Sequence, residues 1–214
     1  MIKVAPSILS ADFANMAQAI RNIETWGADW VHCDVMDGVY VPNITFGMPM
    51  VKALRKHSDK VFDVHLMITE PEKYVGQFCD AGADIVTFHP DASKDVQGAL
   101  NTIKAKGKKC GLVINADQPL ELAIPYFSQI DILLVMTVQA GFGGQSFKSE
   151  CLEKLREAKR IKEDLGYTFE LELDGGVSPE NIALCKDSGA TAVVAGSSVF
   201  KAESPALAVK SMQI

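Results

Sequence analysis

The sequence predicts an α/β protein, a single (β/α)8 TIM barrel spanning residues 1–214 as one domain. Three observations point to it. Short Val- and Ile-rich runs alternate with longer helix-like stretches, a pattern that implies a parallel sheet with helical crossovers. The alternation repeats eight times at even spacing, which fits a closed barrel better than an open doubly wound sheet. Glycines stand where the helical stretches should stop.

The predicted strands are Lys3–Ile8, Trp30–Asp34, Val61–Met67, Ile85–Phe88, Lys109–Ile114, Ile132–Met136, Phe169–Asp174 and Ala192–Ala195. Helices are expected near Asn15–Thr25, Pro49–Lys56, Pro71–Ala81, Ala99–Lys106, Leu120–Phe127, Glu150–Leu165, Glu180–Asp187 and Pro205–Met212. Gly27, Gly82, Gly107, Gly166 and Gly189 suit left-handed helix ends. Asp12, Ser93 and Ser178 are placed to open helices, and Pro71 and Pro179 fit a first turn.

Composition narrows the function classes. With 48% hydrophobic residues, the chain can bury a large core. A net charge of −6 argues against a general nucleic-acid-binding surface. It leaves room for a small anion held by backbone N–H groups. No apolar run is long enough to span a bilayer, so no membrane partner is expected. The five cysteines, Cys33, Cys79, Cys110, Cys151 and Cys185, are scattered and never paired as C-x-x-C. They read as reduced thiols in a cytoplasm.

Active sites in this fold gather at the C-terminal ends of the strands. Successive strand side chains point to opposite faces, so His32, Asp34 and Met36 share one face of the second strand. His65 and Met67 do the same at the end of the third, and Asp174 ends the seventh. Read singly, each histidine fits a hydrogen-bonded core residue. Together, two imidazoles and two carboxylates reaching one end of the barrel suit a divalent metal such as Zn, Fe, Mn or Co. Met36, Met67 and Met136, each near a strand end, would form a water-poor wall over the bound substrate. Glu172, two residues before Asp174, should also face inward and needs a partner that the sequence does not name.

Three glycine loops follow the sixth, seventh and eighth strands: Gly141-Phe142-Gly143-Gly144-Gln145, Gly175-Gly176 and Gly196-Ser197-Ser198. Barrels of this kind often hold a phosphate between the last two loops and a short extra helix. The pattern points to a phosphorylated small substrate, its phosphate at Gly176, Gly196 and Ser197 and covered by the loop of Gly141, Gly143 and Gly144.

Six stretches carry a resemblance to a known family. They are Ala5-Pro6-Ser7-Ile8-Leu9-Ser10-Ala11-Asp12-Phe13, His32 to Asn43, His65-Leu66-Met67, Met136-Thr137-Val138 with its glycine loop, and Leu173-Asp174-Gly175-Gly176-Val177, and the set closes with Val194-Ala195-Gly196-Ser197. In these the chain resembles ribulose-phosphate 3-epimerases. The resemblance implies a ribulose-phosphate-binding barrel, one divalent metal (usually zinc or iron) and interconversion of D-ribulose 5-phosphate with D-xylulose 5-phosphate through a metal-stabilised enediolate. It implies His32, Asp34, His65 and Asp174 as metal ligands, Asp34 and Asp174 as the acid/base pair, and Ser7 and the glycine loops as substrate contacts. A homo-oligomer, dimer or hexamer, is implied as well.

Two departures stand out. Gln139-Ala140 replaces the usual Asn-Pro before the glycine loop, and His89-Pro90-Asp91 looks closer to allulose 6-phosphate 3-epimerases. The latter activity, or another ketose-phosphate 3-epimerase, is therefore the alternative. A non-catalytic metal- or phosphate-binding barrel is a remoter one. Related phosphosugar decarboxylases use an Asp-x-Lys-x-x-Asp pattern, and here Met36 stands where the lysine would be.

Overall fold

The computed structural model describes residues 1–214. Eight parallel strands form one sheet: β1 (Lys3–Pro6), β2 (Trp30–Met36), β3 (Val61–Met67), β4 (Ile85–Phe88), β5 (Lys109–Ile114), β6 (Ile132–Met136), β7 (Glu170–Asp174) and β8 (Ala192–Ala195). Neighbours pair in sequence order from β2 through β8, and β8 pairs with β1. The ring is nearly closed between β1 and β2 by a parallel bridge of Ser7 with His32. At the other end of that seam Asp29 N–H donates to Val4 O at 3.0 Å, and Val4 N–H donates to Asp29 Oδ2 at 2.9 Å.

The helices are α1 (Met16–Thr25), α2 (Met48–Leu54), α3 (Val75–Ala81), α4 (Val96–Ala105), α5 (Leu152–Leu165), α6 (Ile182–Asp187), α7 (Ser197–Phe200) and α8 (Pro205–Met212). None is long and apolar enough to cross a membrane. Outward strand residues such as Val31, Leu66, Phe88, Leu112 and Leu133 pack with Ile20, Leu100 and Leu155 of the helices. A separate, smaller core inside the barrel contains Trp30, Ile85, Val113, Ile132, Leu134 and Ala192. This division follows from the two-residue side-chain period of a strand covered on both faces.

Most expected elements are present, and the differences have local causes. The first strand stops at Pro6 rather than Ile8, because Ser7 caps a 3₁₀ turn by accepting from Leu9 N–H at 3.2 Å. The second strand runs on to Met36, since its ladder with β3 continues to Met67. The helix expected over Leu120–Phe127 is instead two 3₁₀ turns, Leu120–Leu122 and Ile124–Tyr126. Pro125, inside the second turn, has no N–H to give a continuous α-helix. Asp95 rather than Ser93 caps α4, accepting from Gly98 N–H at 2.8 Å. The five glycines expected at helix ends all have positive φ.

Gly111 shows how tightly the barrel wall packs. A Cβ there would stand 2.5 Å from Ile132 O and 2.9 Å from Thr87 Cγ2. The first contact is backbone and cannot rotate away. Gly111→Ala is expected to destabilise the fold by about 1–3 kcal/mol, the usual cost of overpacking. Urea unfolding checks this, and an unchanged midpoint would show that the wall yields instead.

Candidate active site

Three strands deliver the polar cluster. β2 places His32 and Asp34 on its inward face, β3 places Asp63 and His65, and β7 places Glu172 and Asp174. Strand register brings them to similar heights, with Asp34 beside His65 and His32 beside Asp63. One ligand atom from each of His32, Asp34, His65 and Asp174 lies within 4.8 Å of the others.

The hydrogen-bond pattern around these atoms is incomplete in an informative way. His32 Nδ1 bonds to Asp63 Oδ2 at 2.5 Å, which leaves Nε2 directed toward Asp34 Oδ1 at 3.3 Å. His65 Nδ1 lies 3.3 Å from the same Asp34 oxygen and 3.9 Å from Asp174 Oδ2. Both His32 Nε2 and His65 Nδ1 are buried and have no hydrogen-bond partner. Two free imidazole nitrogens and two carboxylates facing one small space fit a divalent cation, and the donor set suits a first-row transition metal.

Electrostatics separates the two carboxyls. Burial would raise Asp34, but the neighbouring imidazoles, His32 first and then His65, overcome it and hold Asp34 well below the usual carboxylate range. Burial, reinforced by the negative charge of Asp34, pushes Asp174 up to about 7. Burial would also lower His32, yet the flanking Asp34 and Asp63 raise it well above an ordinary histidine. His65, with desolvation dominant, is lowered.

Above this cluster opens a cleft of about 550 Å³, counting the open space of its mouth. Ser7, Asp34, Met36, Met67, Met136, Gly141, Gly143, Gly144, Asp174, Gly175, Gly176, Gly196 and Ser197 all line it. His32 and His65 do not, because they lie fully buried beneath its floor. Ser7 Oγ donates to Asp34 Oδ2 at 2.5 Å, so it also holds that carboxylate in place. The loop after β6 folds over one side, fastened by Asn43 Nδ2 donating to Gly141 O at 2.9 Å. Gln145 Nε2 donates to Gln139 O at 2.6 Å and to Phe142 O at 2.7 Å, closing that loop on itself.

Gly175 and Gly176 answer to packing inside the protein. Both have positive φ. A Cβ on Gly175 would meet Val138 at 2.5 Å, and one on Gly176 would meet Phe147 N at 2.7 Å. Thr137 further ties the turn, its N–H donating to Asp174 O at 2.7 Å.

The partner of Glu172, Asp63 itself, the contact of His89 with His65 and the place of Ser10 escaped the sequence reading. Glu172, expected to face inward, meets Asp63 and His32, one atom of each lying within 4.8 Å of the others in a second cluster that shares only His32 with the first. Burial, then the charge of Asp63, raises Glu172 well above an ordinary carboxyl. Asp63 stands two residues before His65, so the alternation that found His65 also marks Asp63 as inward. His89 follows β4 and meets His65 Nε2 through its own Nε2 at 2.9 Å. Ser10 lines the cleft beside Gly196.

A sequence profile described as the Ribulose-phosphate 3 epimerase family matches residues 3–200. Ribulose-phosphate 3-epimerase of Synechocystis is 46% identical over 210 residues, covering 97% of this chain and 91% of that protein. The enzyme of the same name from Bacillus subtilis is 46% identical over 201 residues, covering 94% and 93%. Among solved structures, 3-keto-L-gulonate-6-phosphate decarboxylase from Vibrio cholerae superposes with a TM-score of 0.71, covering 100% of this chain and 95% of that one. At 19% identity that likeness concerns the barrel alone.

The His32–Asp63 bond is directly testable. Asp63→Ala leaves the His32 Nδ1 hydrogen buried without its acceptor and is expected to cost about 1–3 kcal/mol of stability. Asp63→Asn, which retains an acceptor oxygen, should cost less. Chemical denaturation of the two variants measures the difference, and equal losses would show that acceptance by residue 63 does not matter.

Proposed function

Because the chain belongs to the ribulose-phosphate 3-epimerase family, we propose that it interconverts D-ribulose 5-phosphate and D-xylulose 5-phosphate with the help of one divalent metal. The observation that carries this reading is the convergence of His32, Asp34, His65 and Asp174 on one small space at the floor of the cleft. Those four residues would hold the metal, zinc or iron foremost and manganese or cobalt as alternatives. When bound, it would supply Lewis-acid stabilisation of negative charge developing on the substrate oxygens.

The chain's own residues then account for the proton movements. Epimerisation next to a ketone removes a weakly acidic proton from one face of carbon 3 and returns one to the other. Asp34 and Asp174 arrive from β2 and β7 and both reach the cleft. One takes the proton while the other gives one, and the roles exchange in the reverse direction. Ser7 orients Asp34 through its hydrogen bond. Met36, Met67 and Met136, all buried, keep water away from the reacting carbon. The phosphate is held at the mouth by Gly176, Gly196 and Ser197, under the loop of Gly141, Gly143 and Gly144.

The buried, unpaired cysteines fit a reducing compartment, so we place the protein in the cytoplasm. The exposed apolar side chains Val39 and Ile44 are compatible with the homo-oligomer, dimer or hexamer, that the family suggests.

Stripping the protein with a chelator should abolish turnover of D-ribulose 5-phosphate, and zinc, iron, manganese or cobalt should restore it. A demonstrably metal-free protein with full turnover would sink the metal assignment. In the same assay D-ribulose 5-phosphate should outperform D-allulose 6-phosphate. The reverse order would move the protein to the allulose branch.

Two bases on opposite faces also make an isotopic prediction. In heavy water, under single-turnover conditions, essentially every product molecule should carry deuterium at carbon 3. Substantial return of the substrate's own hydrogen would instead indicate one base working on both faces.

A further inference from the structure

His89 lies at the C-terminal end of β4, fully buried, and it does not line the cleft. Its Nε2 meets His65 Nε2 at 2.9 Å, with ring centroids 5.1 Å apart and ring planes 34° from parallel. Two ring nitrogens in this arrangement share one hydrogen: one donates it and the other must offer a lone pair. The direction of that bond decides what His65 shows at its opposite edge. That edge, Nδ1, faces Asp34 Oδ1 at 3.3 Å and Asp174 Oδ2 at 3.9 Å. With the hydrogen on Nε2, Nδ1 presents a lone pair to the space between the carboxylates, as a metal ligand must. With the hydrogen on Nδ1, that hydrogen would fill the cation's place.

His89 is itself held by groups that take no part in the cleft. The Tyr40 ring packs on it with centroids 4.8 Å apart. Tyr40 OH accepts from Asn115 Nδ2 at 2.7 Å and donates to Asp91 at 3.1 Å. Gln118 Nε2 donates to the other Asp91 oxygen at 2.7 Å. The loops after β2, β4 and β5 are thereby joined around one imidazole, whose single side-chain contact toward the metal cluster is the bond to His65.

We propose that His89 is a positioning residue: its Nε2 accepts the hydrogen of His65 Nε2 and so presents His65 Nδ1 as a metal ligand. The proposal rests on the metal site assigned above and adds to it a histidine that touches neither metal nor substrate. Partners of this kind fix the orientation and tautomer of ligating histidines, and their loss typically weakens metal binding by about 10–100-fold.

Two measurements test it. Long-range ¹H–¹⁵N correlation on the zinc-loaded wild-type protein should show His65 protonated at Nε2 only, with coupling across that hydrogen to His89. His65 protonated at Nδ1, or lacking the coupling, overturns the proposal. Zinc affinity by chelator competition should then fall by about 10–100-fold in His89→Ala and stay within a few-fold of wild type in His89→Gln, which can return an amide oxygen as acceptor. Wild-type affinity in His89→Ala overturns the proposal while leaving the metal site standing. Wild-type affinity in His65→Ala would instead overturn the metal site itself. Thermal midpoints measured alongside identify any variant that fails to fold, and the wild-type spectrum then decides.

Discussion

Every second residue of a barrel strand must point into a closed interior, and this protein sends acids and imidazoles there as well as hydrocarbons. Burying one such group alone costs several kcal/mol, so the arrangement is tolerable only as a matched set. Glu172, Asp63 and His32 form the lower part of that set, and Asp34, His65 and Asp174 the upper. The register between β2 and β3 is therefore constrained twice, by apolar packing and by the need to set His32 beside Asp63 and Asp34 beside His65. A slip of β2 by one residue would send His32 and Asp34 to the helix side and leave Asp63 and His65 inside without them. The upper group also has more lone pairs than hydrogens to bond them, and that surplus is what makes a cation a natural complement.

The barrel was legible because its signals are periodic and local. Val- and Ile-rich runs, glycines after helices and the alternation of His32 with Asp34 depend on short stretches of chain. The same alternation placed Asp174 on an inward face. Where the reading went astray, a single residue had changed the local rule. Pro125 broke a helix into two turns, and Ser7 ended a strand early by turning its side chain back on the backbone. The partner of Glu172 was harder to name. Asp63 lies 109 positions away in the chain, and only the closure of the sheet brings β3 and β7 around one axis. His89 was visible as a residue beside β4, but nothing local revealed that its ring would meet that of His65.

The glycine loops carry a related lesson about what a small residue is for. Gly175-Gly176 reads naturally as a place for a ligand to approach the backbone. Their immediate neighbours are Val138 and Phe147, so these two positions first let the loops after β6 and β7 nest together. Gly196 differs, because a Cβ there would meet the Ser10 hydroxyl at 2.6 Å, on the edge of the cleft. The mouth is thus built from loops packed on one another, and among its glycines Gly144 is the one whose Cβ would meet nothing within 4 Å.

The seam between β1 and β2 has a consequence for how the molecule breathes. Elsewhere around the barrel, each strand is laced to its neighbour by a ladder, whereas here one bridge and the Asp29 contacts do that work. A partial opening of the wall, of the kind that lets buried amides exchange with solvent, has its lowest threshold along this line. On one bank of the seam stand His32 and Asp34, and on the other Ser7, which grips Asp34. The chain's far end reaches the same line, with Ile2 N–H donating to Ile214 O at 3.0 Å and Gln213 Nε2 donating to Asp29 Oδ2 at 2.9 Å. The weakest stave of the barrel therefore carries two of the four proposed metal ligands, and an ion gripped from β2, β3 and β7 would act as a rivet across the wall as well as a reagent.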